Sequence, residues 1–283
     1  MYQTMRNLAF PLLAASAILF SSCASSQGGG DRAAMCKERY ASAEKEFKAG
    51  NYGKVKDPLE EILSTCAGTG YMEQTQFLLA ESYFHLEEWL EARGEYGSFV
   101  LNFPSSPYIE TAEYRKAVSS FNMEYTIGRD ESNTDLAMKD FERFISNYPN
   151  SPLIDSVEYY RAKLTERKAE QDFRTARLYY RMDHPRSTII YLKEFLDVYP
   201  KSARIPEVLY LLVQSYTDLD QFDTARAYLQ RAQTMIPPDY KGKDKDIQSL
   251  SKDIDEAEIK YQKKLAKELE KKLQRKEEAA EGK

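Results

Sequence analysis

Residues 137–152 read AMKDFERFISNYPNSP, and the placing of its apolar residues decides the fold. Ala137, Phe141, Phe144 and Tyr148 stand twelve, eight, five and one residues before Pro149. At roughly 100° per residue the three aromatics share one helical face, and the small Ala137 leaves room for a second helix to approach. Pro149 closes the segment because it has no amide to continue the ladder. The same ruler fits three more prolines. Before Pro104 stand Ala92, Tyr96, Phe99 and Phe103; before Pro200 stand Thr188, Leu192, Phe195 and Tyr199; before Pro237 stand Ala225, Leu229, Ala232 and Ile236. A weaker copy has Val55, Leu59, Ile62 and Cys66, with Ala67 in the proline's place. Within it, Asp57-Pro58 reads as a restart, with Asp57 as cap, Pro58 in the first turn, and Glu60 and Glu61 at the positive end of the helix.

A partner helix is expected before each of these segments. Near Glu73 to Leu86, Leu79, Ala80 and Tyr83 face the partner; Ala176 with Tyr179, and Leu212 and Val213 with Tyr216, repeat the pattern. An aromatic opens the second helix in three copies: Tyr52, Trp89 and Phe222. Small and aromatic residues at these offsets resemble the tetratricopeptide repeat. Five copies over about residues 33–239 predict an all-α, tetratricopeptide-like superhelix of helical hairpins. Ala67 to Pro104 and Pro200 to Pro237 each span 37 residues, but Pro104 to Pro149 spans 45 and Pro149 to Pro200 spans 51. The first excess, Gly128 to Thr134, is polar and reads as a loop. The second has no breaker from Leu153 to Asp183 and reads as one long helix bridging an N-terminal block (33–151) and a C-terminal block (152–240). In the Lys/Glu-rich tail, 241–283, Ile247, Leu250, Ile254, Tyr261, Leu265, Leu269 and Leu273 form a thin stripe. It reads either as a solvated helix that frays past Leu273 or as one packing on the last repeat or a partner helix.

The chain has 283 residues and a formal net charge of -5, without the basic excess that a nucleic-acid binder usually shows. Arg6, the apolar run Leu8 to Phe20 and the small residues after it form an export signal over 1–22, too short to span a bilayer as a mature helix. Phe20-Ser21-Ser22-Cys23 resembles a lipobox, which makes Cys23 the lipidation site; ordinary cleavage near Ser22 is the alternative. The Ser/Gly-rich stretch 23–32 reads as a flexible tether. The only histidines, His85 and His184, lie in no metal-type spacing, and Gly28-Gly29-Gly30 follows no strand as a phosphate loop would. No catalytic residue, metal or cofactor is expected, and the chain reads as a non-enzyme. With Cys23 lipidated, Cys36 and Cys66 are an even pair in an oxidising compartment, at adjoining ends of the first hairpin. They read as a disulfide, with two buried free thiols as the alternative.

Beyond the generic repeat, Asn102-Phe103-Pro104-Ser105-Ser106-Pro107, Phe144-Ile145-Ser146-Asn147-Tyr148-Pro149-Asn150-Ser151-Pro152 and Asp197-Val198-Tyr199-Pro200-Lys201-Ser202 share one turn. These turns, the polar insertion at Arg129-Asp130, the long helix ending Ala176-Arg177-Leu178-Tyr179-Tyr180 and the lipobox together resemble the BamD family of β-barrel assembly lipoproteins. The resemblance runs to about Pro237 and excludes the tail. It implies a lipid-anchored protein on the periplasmic face of the outer membrane. Its implied partners are a BamA-like β-barrel protein at the later repeats, other assembly lipoproteins, and unfolded outer-membrane proteins at the earlier ones. A repeat adaptor for cell-wall synthesis or a Tol–Pal type complex is the alternative. In tetratricopeptide folds the first helix of each hairpin lines the groove. That face gives Tyr40, Glu44, Phe47 and Lys48, then Phe77, Glu81, Phe84 and His85, then Tyr114, Val118 and Phe121 as candidate substrate contacts. Packing of Phe47, Phe84 and Phe121 into the next repeat is the alternative.

Overall fold

A computed structural model of the chain describes residues 27–127 and 131–281. Among these residues there are eleven helices and no strands. They are α1 (Gln27–Lys48), α2 (Tyr52–Thr65), α3 (Met72–His85), α4 (Trp89–Asn102), α5 (Ile109–Ile127), α6 (Glu131–Asn147), α7 (Ile154–Arg181), α8 (Pro185–Val198), α9 (Ile205–Asp218), α10 (Phe222–Met235) and α11 (Lys243–Glu281). The chain divides into two compact units, 1–79 and 80–283, with the division inside α3.

The proline ruler marks the second helix of every hairpin. Its positions twelve, eight and five residues back are Val55, Leu59 and Ile62 on α2; Ala92, Tyr96 and Phe99 on α4; Ala137, Phe141 and Phe144 on α6; Thr188, Leu192 and Phe195 on α8; and Ala225, Leu229 and Ala232 on α10. All are at most 6% exposed. The aromatic or aliphatic residue just before the proline closes the helix: the amides of Phe103, Tyr148, Tyr199 and Ile236 donate to the carbonyls of Phe99, Phe144, Phe195 and Ala232. The serine two residues after the proline then starts the next helix. Ser106, Ser151 and Ser202 accept through Oγ from the amides of Tyr108, Leu153 and Arg204, at 3.0, 3.0 and 3.1 Å. A hydroxyl that can mimic a backbone turn is what such a corner requires.

The reverse corner, from first helix to second, needs one residue with positive φ. Gly50 fills it after α1, at 80°, while Glu87, Asp183 and Asp220 fill it after α3, α7 and α9, at 57–60°. In each case the following amide reaches back to the last turn, as from Glu88 to Tyr83, His184 to Tyr179 and Gln221 to Tyr216.

In the second unit α7 belongs to two cores. Val157 and Leu164 pack with Ala117, Phe121, Phe141 and Phe144 of α5 and α6. Ala169, Phe173 and Ala176 pack with Ile189, Leu192 and Phe195 of α8 and Val208, Leu209 and Leu212 of α9. The long helix therefore joins two cores through one continuous ladder of hydrogen bonds. A third core is made by Val213, Phe222, Ala225 and Leu229 with Ile247, Leu250 and Ile254 of α11. The tail stripe thus packs on the last hairpin as far as Tyr261, which meets Phe222 edge-on at 5.8 Å. Leu265, Leu269 and Leu273 remain half-exposed, and the helix continues past Leu273 to Glu281 without fraying there.

Three local expectations are corrected. There is no restart at Asp57-Pro58: α2 runs unbroken from Tyr52, with Asn51 at its cap and Pro58 inside it. Pro58 lies on the exposed side, where solvent can reach the carbonyl it frees, and the buried row Val55, Leu59, Ile62 continues across it. The polar insertion is less loop than expected, since Glu131 to Thr134 form the first turn of α6 and Thr134 is buried; residues 128–130 lie outside the described ones. The tether is shorter too, because α1 begins at Gln27. The guanidinium of Arg32 donates to the carbonyls of Thr65 and Ala67, which ties the start of α1 to the end of α2. The signal at 1–22, Cys23 and the rest of the tether lie outside the described residues.

Candidate partner-binding surfaces

In the first unit the hairpin α1–α2 is closed covalently. Cys36 and Cys66 are disulfide-bonded, with Cα atoms 5.9 Å apart, and both are buried. Tyr40, Glu44, Phe47 and Lys48 follow the four-three-one spacing of one helical face on α1. The ring of Tyr40 stacks on Tyr71 with centroids 5.6 Å apart, and Phe47 meets Tyr52 edge-on at 5.0 Å. Both rings are half-buried, while Lys48 is exposed and pairs with Glu44 at 3.0 Å. Phe77, on α3, is half-buried. This face thus offers aromatic edges with a charged rim.

In the second unit the remaining candidates divide. Phe121 is 4% exposed; its ring packs on Tyr160 at 4.8 Å and under the Arg167 guanidinium at 4.2 Å. Val118 is also buried. These two side chains are core. Tyr114 is half-buried, its ring against Phe144 and its hydroxyl 2.7 Å from Ser156 Oγ. Glu81 is buried and accepts a hydrogen bond from the Tyr96 hydroxyl, with Arg115 Nε at 3.6 Å and His85 Nε2 at 3.9 Å. Burial first, and then the Glu81 charge, push the Tyr96 phenol far above its ordinary range. Glu81 therefore serves the interior. Phe84 is half-buried, edge-on to Trp89 at 5.2 Å, with the Arg115 guanidinium 4.4 Å above its ring. His85 is left at the rim.

Beside them Asp140 joins α4, α5 and α6. Its carboxylate accepts from Ser120 Oγ at 2.7 Å and pairs with Lys116 Nζ and Arg93 at 3.0 Å each. Burial pushes this carboxyl up, but the Ser120 hydroxyl, Lys116 and Arg93 together outweigh it and hold it below the usual carboxylate range. Among the described residues no group of three His, Cys, Asp or Glu side chains could hold a metal, and no helix is long and apolar enough to cross a membrane.

The α7–α8 hairpin carries the surface that the repeat pattern does not account for. Leu178 and Met182 near the end of α7, and Ile190 and Val198 on α8, are 48–65% exposed. Tyr191 stacks on Tyr179 at 4.9 Å. A cleft of about 450 Å³ lies along the same hairpin, lined by Tyr191, Val198, Tyr199, Lys168, Asp172 and Asp135. Its floor is polar: Lys168 pairs with Asp135 at 2.6 Å, and the Tyr199 hydroxyl donates to Asp172 at 2.6 Å. Spacing alone could have found this surface. Thr188, Leu192 and Phe195 use up the buried face of α8, so Ile190 and Val198 must point elsewhere.

A series of helical hairpins built on one repeated offset pattern is the architecture of a tetratricopeptide-like repeat protein. Residues 32–231 match the YfiO family, described as "Outer membrane lipoprotein", and the chain belongs to that family. It is 24% identical over 177 residues to "Outer membrane protein assembly factor BamD" of Rickettsia prowazekii (strain Madrid E), covering 62% of this chain and 70% of that one. Among solved structures, it is similar to the TPR domain of P58(IPK), with 13% identity, coverage of 85% and 68%, and a TM-score of 0.41. It is also similar to TTC0263, a thermophilic TPR protein in Thermus thermophilus, with 14% identity, coverage of 79% and 99%, and a TM-score of 0.33.

Proposed function

We propose that this chain is the lipid-anchored, non-catalytic subunit of the outer-membrane β-barrel assembly machinery, a scaffold for a BamA-like barrel protein and a receiver of unfolded outer-membrane proteins. The observation that carries the reading is the family match over residues 32–231, joined by a relative whose name is an assembly factor. The surfaces support a division of labour. The stable, partly apolar α7–α8 face suits a folded partner, since Leu178, Met182 and Ile190 present aliphatic anchors on a rigid hairpin. The aromatic edges of Tyr40 and Phe47 suit the alternating aromatic and apolar residues of an unfolded strand. Cys23 carries the lipid anchor.

The test is capture of the full lipidated chain from its native membranes, followed by identification of what comes with it. A BamA-like barrel protein should co-purify and be lost with the surface variant Met182→Asp/Ile190→Asp, whose side chains are exposed and leave the core intact. Cys23→Ala should move the chain from the membrane pellet into the soluble fraction. Capture of a cell-wall or Tol–Pal type complex without a barrel protein would replace this reading with the adaptor alternative.

A further inference from the structure

The distal half of α11 is left unexplained by the repeats and by the family, whose match ends at residue 231. Every described side chain from Gln262 to Glu278 is exposed. From Ile259 to Lys276 there are eight cations and two carboxylates, Glu268 and Glu270, in a chain whose net charge is -5. The order of these residues is not random. At roughly 100° per residue, Lys260, Lys263, Lys264, Lys267 and Lys271 fall within one sector of about 100°, a stripe about 17 Å long. Leu265, Leu269 and Leu273 fall in the opposite sector, 50–60% exposed, with Lys272 at its border and Lys276 entering the sector just beyond Leu273. Among the described residues none of the five lysines forms an ion pair, whereas the proximal half is tied down by Arg226 to Asp255 and Glu258.

We infer that residues 259–276 form an interfacial amphipathic segment that lies on an anionic phospholipid surface, with Leu265, Leu269 and Leu273 set into the headgroup boundary and the lysine stripe engaging phosphate. Three observations select this occupant. The charge is complementary to anionic headgroups and opposite in sign to the rest of the chain. The apolar side is narrow and the overall hydropathy low, which fits a helix lying in the plane of the interface rather than spanning it. The leucines recur every four residues, so their line drifts by about 40° per step. A partner helix needs a seam that stays in register, whereas a fluid bilayer surface does not. The family is one of outer-membrane lipoproteins, so a bilayer is within reach.

The experiment uses the full mature chain with Cys23→Ser, so that no acyl anchor contributes, and flotation with vesicles of phosphatidylethanolamine rich in phosphatidylglycerol or of phosphatidylcholine alone. The chain should float with the anionic vesicles only, and be released at about 1 M salt, where the screening length falls to about 3 Å. Lys263→Glu/Lys267→Glu/Lys271→Glu should weaken binding by at least about a hundredfold. Leu265→Gln/Leu269→Gln/Leu273→Gln should weaken it in the same direction while leaving the charge unchanged. Both sets lie on exposed positions, and an unchanged melting temperature shows that the fold is kept. No flotation, equal flotation of the charge-reversed variant, equal binding to phosphatidylcholine, or self-association of the wild type through this segment would overturn the inference. Because only pure lipid and an unanchored chain are present, the result is independent of the assembly role.

Discussion

Among the described residues the first hairpin and the last are the two ends of the repeat series. They are closed by different means. The first is stapled: Cys36–Cys66 joins the middle of α1 to the end of α2, and Arg32, one turn before Cys36, holds the end of α2 through backbone carbonyls. The last is covered: α11 lays Ile247, Leu250 and Ile254 over Val213, Phe222 and Leu229. A staple acts largely by restricting the unfolded chain and buries little new surface. A covering helix acts by removing apolar side chains from water. The second solution leaves a free helix end, and in this protein that end carries further chemistry.

Removing 243–283 should have the largest effect on stability. Burying three aliphatic side chains is worth roughly 5–9 kcal/mol, an upper figure because unfolded chains already bury some surface. Hydrogen exchange in α9 and α10 should accelerate most, with α1 and α2 unchanged. Protection of α10 at wild-type level would show that α11 does not cover this end. Replacing both Cys36 and Cys66 by alanine should come next. For a loop with a sequence separation of 30 the chain-entropy model gives about 3–4 kcal/mol. The loss should appear as faster exchange confined to the first hairpin, and a reductant should reproduce it in the wild type.

Between the two ends, the buried carboxylate of Asp140 ties α4, α5 and α6 together through charge. Asp140→Asn should cost about 2 kcal/mol, less than for a fully buried pair because Arg93 is 24% exposed. The folded-state pKa of Asp140 is lowered, so its contribution is fully present above the unfolded value near 4 and is lost as pH falls through the lower folded value. The melting-temperature gap between wild type and variant should therefore be widest at neutral pH and narrow in acid. A gap independent of pH would assign the cost to packing. The smallest effect is expected for Arg226→Ala at the covered end. Its ion pairs with Asp255 and Glu258 are about 40% exposed on the Arg226 side and worth under about 1 kcal/mol. High salt should erase even that difference.

The second helices were readable because proline fixes their ends and their apolar positions recur at a constant offset, so one ruler located fifteen buried positions across α2, α4, α6, α8 and α10. The corners were only half readable. The serine turns after Pro104, Pro149 and Pro200 repeat in sequence, but the positive-φ corners are filled by Glu87, Asp183 and Asp220, residue types that do not announce that conformation. Pro58 misled because its usual effect, breaking a helix, is mild on an exposed side. Phe121 misled because an aromatic on the expected groove face looks the same whether it awaits a client or is covered by Tyr160 and Arg167. Only the path of α7 decides between them. The staple was legible from parity and hairpin geometry. The surface at Ile190 and Val198 went unread because they carry no motif and are defined only by being left over once the buried face of α8 is assigned.

The most direct test of the assembly role places a photoactivatable crosslinker at exposed Lys48 and, separately, at exposed Ile190, in the full lipidated chain within living cells. The account predicts two different products. Ile190 should capture a folded BamA-like barrel protein at all times, and Lys48 should capture outer-membrane proteins only while they are being synthesised. The same partner at both positions, or a partner at Ile190 that is not a barrel-assembly protein, would contradict it.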